Sequence, residues 1–277
     1  MLKQRVITAV VLLAALLVAV AAGRMALDAA LAVLIGAAAF EWLRLARHPR
    51  KLCVLASAVF AGALLALQTL GAGPQEGTLG IVLAAASVAW LLIAVLILRG
   101  AQRGARMPHA ASTLLAFLLL TAAWFALMRL VNGGIVYLLS VLVIVWLADI
   151  AAYFAGRRWG RRKLAPAISP GKTWAGVGGA VVAVLAAAML FAYSAPDLPV
   201  FSTVLQQRLA PIGALAVLAG LVALSIIGDL FESLLKRQVG AKDSGRLLPG
   251  HGGVLDRVDA LIAVLPAAAL IDLWLRR

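Results

Sequence analysis

The stretch Ala210–Leu235, APIGALAVLAGLVALSIIGDLFESLL, decides what kind of protein this is. From Ala210 to Gly228 it carries no charge, and a helix crossing a bilayer needs about 20 mostly apolar residues. Asp229 and Glu232 then enter the run, and Lys236 and Arg237 close it. The stretch therefore reads as a membrane-spanning helix whose last turns become polar. The same ruler applied outward finds eight more runs, near 6–22, 25–43, 52–73, 78–98, 112–131, 134–155, 174–194 and 254–275, making nine candidate spans. The first run also resembles a signal peptide, with small residues from Ala19 to Ala22. The spans that follow it favour an uncleaved helix.

Composition agrees. The chain has 277 residues, 64% hydrophobic and only 13% charged, with a mean hydropathy of +1.05. Soluble domains run at about 45–50% apolar and about 25% charged, so a water-soluble enzyme and a disordered chain are both excluded. The expected fold class is an all-α polytopic integral membrane protein of about nine transmembrane helices. It forms one membrane domain over 1–277, with N-terminal helices in 1–133 and a catalytic half in 134–277. Neither an internal repeat nor a soluble domain is visible.

Lys and Arg number 25 against 11 Asp and Glu, a net charge of +14. In a soluble protein this would suggest nucleic acid; here the basic residues sit in short clusters between apolar runs. They read as topology signals and anion ligands, with no nucleic-acid partner. Lys3 and Arg5 precede the first span. Arg44, Arg47, Arg50 and Lys51 fill the second loop, Arg99, Arg103 and Arg106 the fourth, Arg157 to Lys163 and Lys172 the sixth, and Lys236 to Arg246 the eighth. The odd loops are nearly bare. Basic loops face the cytoplasm, so the N-terminus and the even loops are expected inside, the C-terminus outside, and the active site at the cytoplasmic ends of the C-terminal helices. Arg276 and Arg277 run mildly against that orientation. Cys53, the only cysteine, reads as core, and no Cys/His metal spacing occurs.

Acids are scarce, so their places carry information. Five of the eleven are Asp229, Glu232, Asp243, Asp256 and Asp259, among Lys236, Arg237, Lys242, Arg246, His251 and Arg257. Asp229, Glu232, Ser233, Lys236 and Arg237 share one helical face. A rise of about 1.5 Å per residue sets Asp229 ~12 Å along the helix from Arg237, deep enough to suggest function. Asp256 and Asp259 begin the last span, where the helix dipole favours carboxylates, and Pro249-Gly250-His251-Gly252-Gly253 precedes them. Glycines admit close backbone approach, and helix N-terminal amides bind anions.

In the sixth loop, Ser169-Pro170-Gly171-Lys172-Thr173 ends like a Walker A loop but lacks its upstream glycines, so a P-loop is rejected. Ser before Pro is expected to cap a helix there, giving a basic, hydroxyl-bearing turn at a helix N-terminus. Asp149 lies inside the sixth span with Trp146, Tyr153, Gly156 and Gly160 at helical spacing, facing a cavity or a partner helix. Asp28, Glu41, Glu76, Asp197 and Asp272 read as interfacial, and His48 and His109 as solvated.

The run Ser233-Leu-Leu-Lys-Arg, then Lys242-Asp243-Ser244-Gly245, then Leu248-Pro249-Gly250-His251-Gly252-Gly253-Val254-Leu255-Asp256-Arg257-Val258-Asp259 resembles the signature of the phosphatidate cytidylyltransferases, also called CDP-diacylglycerol synthases. Ser169-Pro-Gly-Lys-Thr-Trp174 and Asp149…Tyr153…Gly156 also look like bacterial members. The likeness covers the chain from about 145 onward. Ala175 departs from an acidic or amide residue common in the family. The resemblance implies transfer of the cytidylyl group from CTP to phosphatidic acid, a magnesium ion with a second cation possible, and a homodimer in the bacterial inner membrane. By position in the motif, Asp229 and Asp256 are the metal carboxylates, and Asp229, Asp256, Lys172 and Asp149 carry catalysis. Substrate contacts fall to Ser169, Lys172, Thr173, Ser233, Lys236, Arg237, Lys242, Asp243, His251, Gly252, Gly253, Arg257 and Asp259.

Two other classes stay in view. Nine spans and a buried carboxylate would serve a transporter of a phosphorylated or anionic solute, although the polar residues gather at one face and no repeat marks a midplane site. A CDP-alcohol phosphatidyltransferase would need an Asp-Gly…Ala-Arg…Gly…Asp…Asp pattern that is not here. A passive scaffold has no use for five acids around a Gly-Gly turn.

Overall fold

The computed structural model describes residues 2–99 and 107–276. Arg103, Arg106 and Arg277 lie outside the described residues, as do the side chains of Lys3 and Arg5. Ten helices follow in order: α1 Leu2–Ala21, α2 Arg24–Leu45, α3 Arg50–Thr69, α4 Glu76–Leu98, α5 His109–Asn132, α6 Ile135–Trp159, α7 Trp174–Ser194, α8 Phe201–Arg208, α9 Pro211–Gln238 and α10 Leu255–Leu275. A hairpin of β1 Lys163–Ala165 and β2 Ser169–Thr173 sits between α6 and α7, antiparallel, pairing Lys163 with Thr173.

Eight of the helices, α2 to α7 with α9 and α10, are long and apolar enough to cross a membrane. In α1 the described apolar stretch is Val10–Ala21, shorter than the others. The polytopic all-α class expected from hydropathy is what the chain adopts. The short α8, in the seventh loop, is an addition that hydropathy does not reveal.

Placement follows from the apolar faces. α10 is the centre: 67% of its apolar window is inside the protein, against 17% for the peripheral α3. It packs on α9, α5, α4, α2 and α6. α9 and α10 close to backbone distance at Gly228, where a Cβ would stand 2.6 Å from the Asp259 carbonyl oxygen. Absence of that one carbon sets Asp229 beside the start of α10. Under this crossing, Phe231 packs between Trp42 and Trp90, at centroid distances of 5.7 and 5.6 Å. The indoles on either side of Phe231 are both satisfied: Trp90 donates to the Ile262 carbonyl and Trp42 to Ser112 Oγ. α6 and α7 meet through small residues, Gly176 lying against the Ala152 carbonyl, the close packing favoured between helices in lipid.

The two ends of the bundle differ. At one, Thr8 of α1 donates to the Pro249 carbonyl and Arg47 to that of Gln238, while the rings of His48 and His109 lie 6.5 Å apart. Those histidines are not simply solvated, since His48 Nε2 lies 2.7 Å from Thr113 Oγ1 and His109 Nδ1 lies 2.6 Å from the Ala46 carbonyl oxygen. At the other end, Asp272 accepts from Arg129 Nε at 2.9 Å, Tyr137 Oη at 2.8 Å and Arg276 Nε at 2.6 Å. Of the five acids expected to be interfacial, only Glu76 and Asp197 are exposed; Asp28, Glu41 and Asp272 are buried. Burial is possible because each has donors: Asp28 pairs with Arg24 at 2.7 Å, Asp272 has three, and those of Glu41 are described below.

Removing one member of a buried ion pair leaves the other uncompensated, at about 3–5 kcal/mol. Asp272→Ala, which removes the acceptor shared by Arg129, Tyr137 and Arg276 and leaves Arg129 only the exposed Glu76, should therefore clearly lower the melting midpoint of the detergent-purified protein, measured by tryptophan fluorescence. A wild-type midpoint would show that the Asp272 knot does not hold α5, α6 and α10 together.

Candidate active site

A cavity of about 850 Å³ opens where α6, the hairpin, α9 and the N-terminus of α10 meet. α6 contributes Asp149, Tyr153 and Arg157; the hairpin Lys163, Ser169, Lys172 and Thr173; α9 Asp229 and Lys236; the loop 239–254 Asp243; and α10 Asp256, Arg257 and Asp259.

The hairpin corrects one expectation. Ser169-Pro170 does not cap a helix, because both residues are in β2. The cap is Thr173, whose Oγ1 accepts from the Gly176 amide at 3.1 Å. Pro170 can occupy a strand because a two-stranded ribbon consists of edges, which need no donor there. The hairpin leans on α6 through Thr173, with Gly156 and Gly160 against it; a Cβ at Gly160 would come within 2.7 Å of Thr173 Oγ1. Lys172 is thereby aimed across the cavity at α9, where its Nζ pairs with Asp229 at 2.7 Å. Arg237 fastens the hairpin turn to α9 by donating to the Ile168 carbonyl at 3.3 Å.

A second charge cluster lies one turn along. Lys236 pairs with Glu232 on its own helix and with Asp256 of α10 at 2.6 Å. Asp256 Oδ2 also accepts from the amides of Ser244 at 2.9 Å and Gly253 at 2.8 Å and lies 2.9 Å from Ser244 Oγ. Both Asp256 oxygens are therefore engaged, one by an ammonium and one by the loop. Asp229 is freer: beyond Lys172 it accepts, among the described residues, from Ser233 Oγ at 3.3 Å.

Of the residues expected at the site, Asp149, Ser169, Lys172, Thr173, Asp229, Lys236, Asp243, Asp256, Arg257 and Asp259 line the cavity. Ser233, Arg237, Lys242, His251, Gly252 and Gly253 are not among the residues that line it. Gly252, at φ 84°, turns the chain so that Leu248 can donate to the Gly252 carbonyl at 2.9 Å. His251 supplies its backbone carbonyl, which accepts from Arg257 Nη2 at 2.8 Å. Arg157 and Lys163 also line the cavity; sequence reasoning used both only for topology. Their signal was present, since Arg157 falls one turn after Tyr153 on α6 and Lys163 follows in the same basic cluster, in β1.

Among the described residues no three His, Cys, Asp or Glu side chains converge as a ready-made metal cluster. The donors on the cavity wall are nonetheless carboxylate oxygens, chiefly Asp149, Asp229 and Asp259. Such a set suits a hard cation that takes the rest of its shell from water and substrate phosphates, as magnesium does.

A family model described as the cytidylyltransferase family matches residues 3–274. A Pseudomonas aeruginosa protein named phosphatidate cytidylyltransferase is 42% identical, with 99% of this chain and 97% of that protein covered. Proteins of the same name from Haemophilus influenzae and Bacillus subtilis are 46% and 41% identical, each over 48% of this chain and over 44% and 46% of their own lengths respectively.

Because His251 contributes its main chain and is absent from the cavity wall, His251→Gln should keep turnover within about tenfold of wild type. Its pH–rate profile should keep the wild-type form. Loss of an ionisation near the reference histidine value of about 6.5 would instead make the imidazole a proton-transfer group.

Proposed function

The chain belongs to the cytidylyltransferase family, and from that membership and the paired charges of the cavity we propose that it transfers the cytidylyl group from CTP to phosphatidic acid. A phosphate oxygen of the lipid attacks the α-phosphorus of CTP. The new P–O bond forms as the bond to the β-phosphate bridge breaks, giving CDP-diacylglycerol and pyrophosphate.

The obstacle is charge more than proton transfer. A phosphate monoester carries about −1.5 to −2 at neutral pH, its second pKa being about 6, so the nucleophile is already largely deprotonated. It must approach a triphosphate, and catalysis of such transfers rests on positioning and on positive charge. The observation that carries the reading is that Lys172 and Lys236 project into one cavity from two elements while paired with carboxylates. Arriving phosphates can take over those ammonium groups without charge having to be imported. Arg157, Lys163 and Arg257 on the wall extend the basic surface. Asp229, with Asp149 and Asp259 beside it, would hold a magnesium ion, which supplies further neutralisation of the phosphates. Asp256 would join that shell only if Lys236 released its Oδ1.

The lipid must enter sideways and CTP from water, and a cavity at one end of the helices suits both. Clustered basic residues in the even loops support a cytoplasmic location for that end by the positive-inside rule, and the bacterial relatives support a bacterial inner membrane. A homodimer is the assembly the family resemblance implies. Transport is disfavoured because the cavity lies at one end of the helices and not at the midplane between repeats.

Membranes containing the chain, given CTP, phosphatidic acid and magnesium, should form a CDP-lipid and release pyrophosphate. Asp229→Asn should lower that rate by about 10³-fold or more, as expected for loss of a charge-stabilising ligand. No CDP-lipid from the wild-type chain would refute the activity, and near wild-type turnover in the variant would remove Asp229 from the site.

A further inference from the structure

Glu41 is the most unexpected acid in the protein. It sits one turn before the end of α2, far in sequence from the run Ser233 to Asp259, and is 1% exposed. Its Oε2 accepts from the Leu255 amide at 2.8 Å and from Ser244 Oγ at 2.9 Å. Leu255 is the first residue of α10, where helix amides lack partners within the helix. Glu41 thus caps α10 from another element, and by the same oxygen grips the loop that leads into it.

Ser244 carries this grip onward. Its Oγ lies 2.9 Å from Asp256 Oδ2 and accepts from the Asp256 amide at 3.3 Å, and Asp256 is the partner of Lys236. A continuous chain therefore runs from Glu41 through Ser244 to Asp256 and Lys236, the last two on the cavity wall. Two glycines make room for it. At Gly245 and at Gly253 an added Cβ would collide with the Glu41 carboxylate, and neither glycine has a positive φ. Both are required by the space that Glu41 occupies, not by backbone conformation.

We infer that Glu41 is a positioning residue for cytidylyl transfer, a carboxylate that fixes the loop 239–254 and the start of α10 so that Asp243, Asp256 and Arg257 face CTP. This rests on the activity proposed above. Glu41 touches no substrate, as it does not line the cavity; it acts through Ser244 and Leu255. The requirement is for an oxygen acceptor of glutamate length. The amide of glutamine provides one, whereas alanine leaves both donors without it.

The test uses the full chain purified in detergent. Glu41→Ala should raise KM for CTP at least tenfold and should speed amide hydrogen exchange across 243–258, with exchange in α5 and α6 unchanged. Glu41→Gln should restore both to within about threefold of wild type. A purely structural role would instead lower the melting midpoint and the yield while leaving KM for CTP and the local exchange pattern as in wild type, and that result would overturn the inference. So would Glu41→Gln behaving like Glu41→Ala. If Glu41→Ala does not accumulate, Gly245→Ala, which pushes a methyl group into the intact carboxylate, is read by the same two measurements. Exchange needs no substrate, so it reports on the loop even if the wild-type chain makes no CDP-lipid, and the two failures remain separate.

Discussion

Lys236 lies between Glu232 on its own helix and Asp256 on the next, and the working end of the protein is arranged around that contact. Ionised groups near a bilayer interior are expensive unless paired, so five acids and their bases cannot be scattered along separate spans. Here they are brought together where α9 and α10 close on Gly228. The same contact ties the helix pair to the loop 239–254, through the two amides and one hydroxyl gathered on Asp256 Oδ2. Beneath it, Trp42, Phe231 and Trp90 provide a rigid floor.

Pairing is also the basis of the proposed reaction. Lys172 with Asp229, and Lys236 with Glu232 and Asp256, keep the resting cavity close to balanced in the absence of a triphosphate. In the proposed reaction a triphosphate and a phosphate monoester would compete for cations already in place, and the released carboxylate oxygens would then be free to hold a divalent ion. The hairpin brings Lys172 to this site from outside the helical bundle. It does so by a strand whose register ends at Thr173, the cap of α7.

Hydropathy made the spans legible because each apolar run is longer than any soluble core requires. The signature from Ser233 to Asp259 pointed to the site because acids are rare enough for their spacing to stand out. Other features were hidden for identifiable reasons. Ser169-Pro170 looks like a helix cap because the local preference is real, yet cross-strand pairing with β1 overrides it. Arg157 and Lys163 were indistinguishable from topology signals, because a basic residue near the end of a span serves either purpose. Glu41 was invisible for a deeper reason: its donors are more than 200 positions away in sequence, and no local pattern records such a contact. Asp272 was misread in the same way, its donors coming from α5, α6 and the residue after α10.

The central claim is that the triphosphate displaces carboxylates from cations already present in the cavity between α6, the hairpin, α9 and α10. An experimental structure of the protein in lipid nanodiscs with a non-hydrolysable CTP analogue tests it most directly. The account predicts phosphate oxygens within hydrogen-bonding distance of Lys172 and Lys236, with at least one of those lysines drawn away from its carboxylate. Nucleotide bound elsewhere, with the Lys172–Asp229 and Lys236–Asp256 pairs intact, would contradict it.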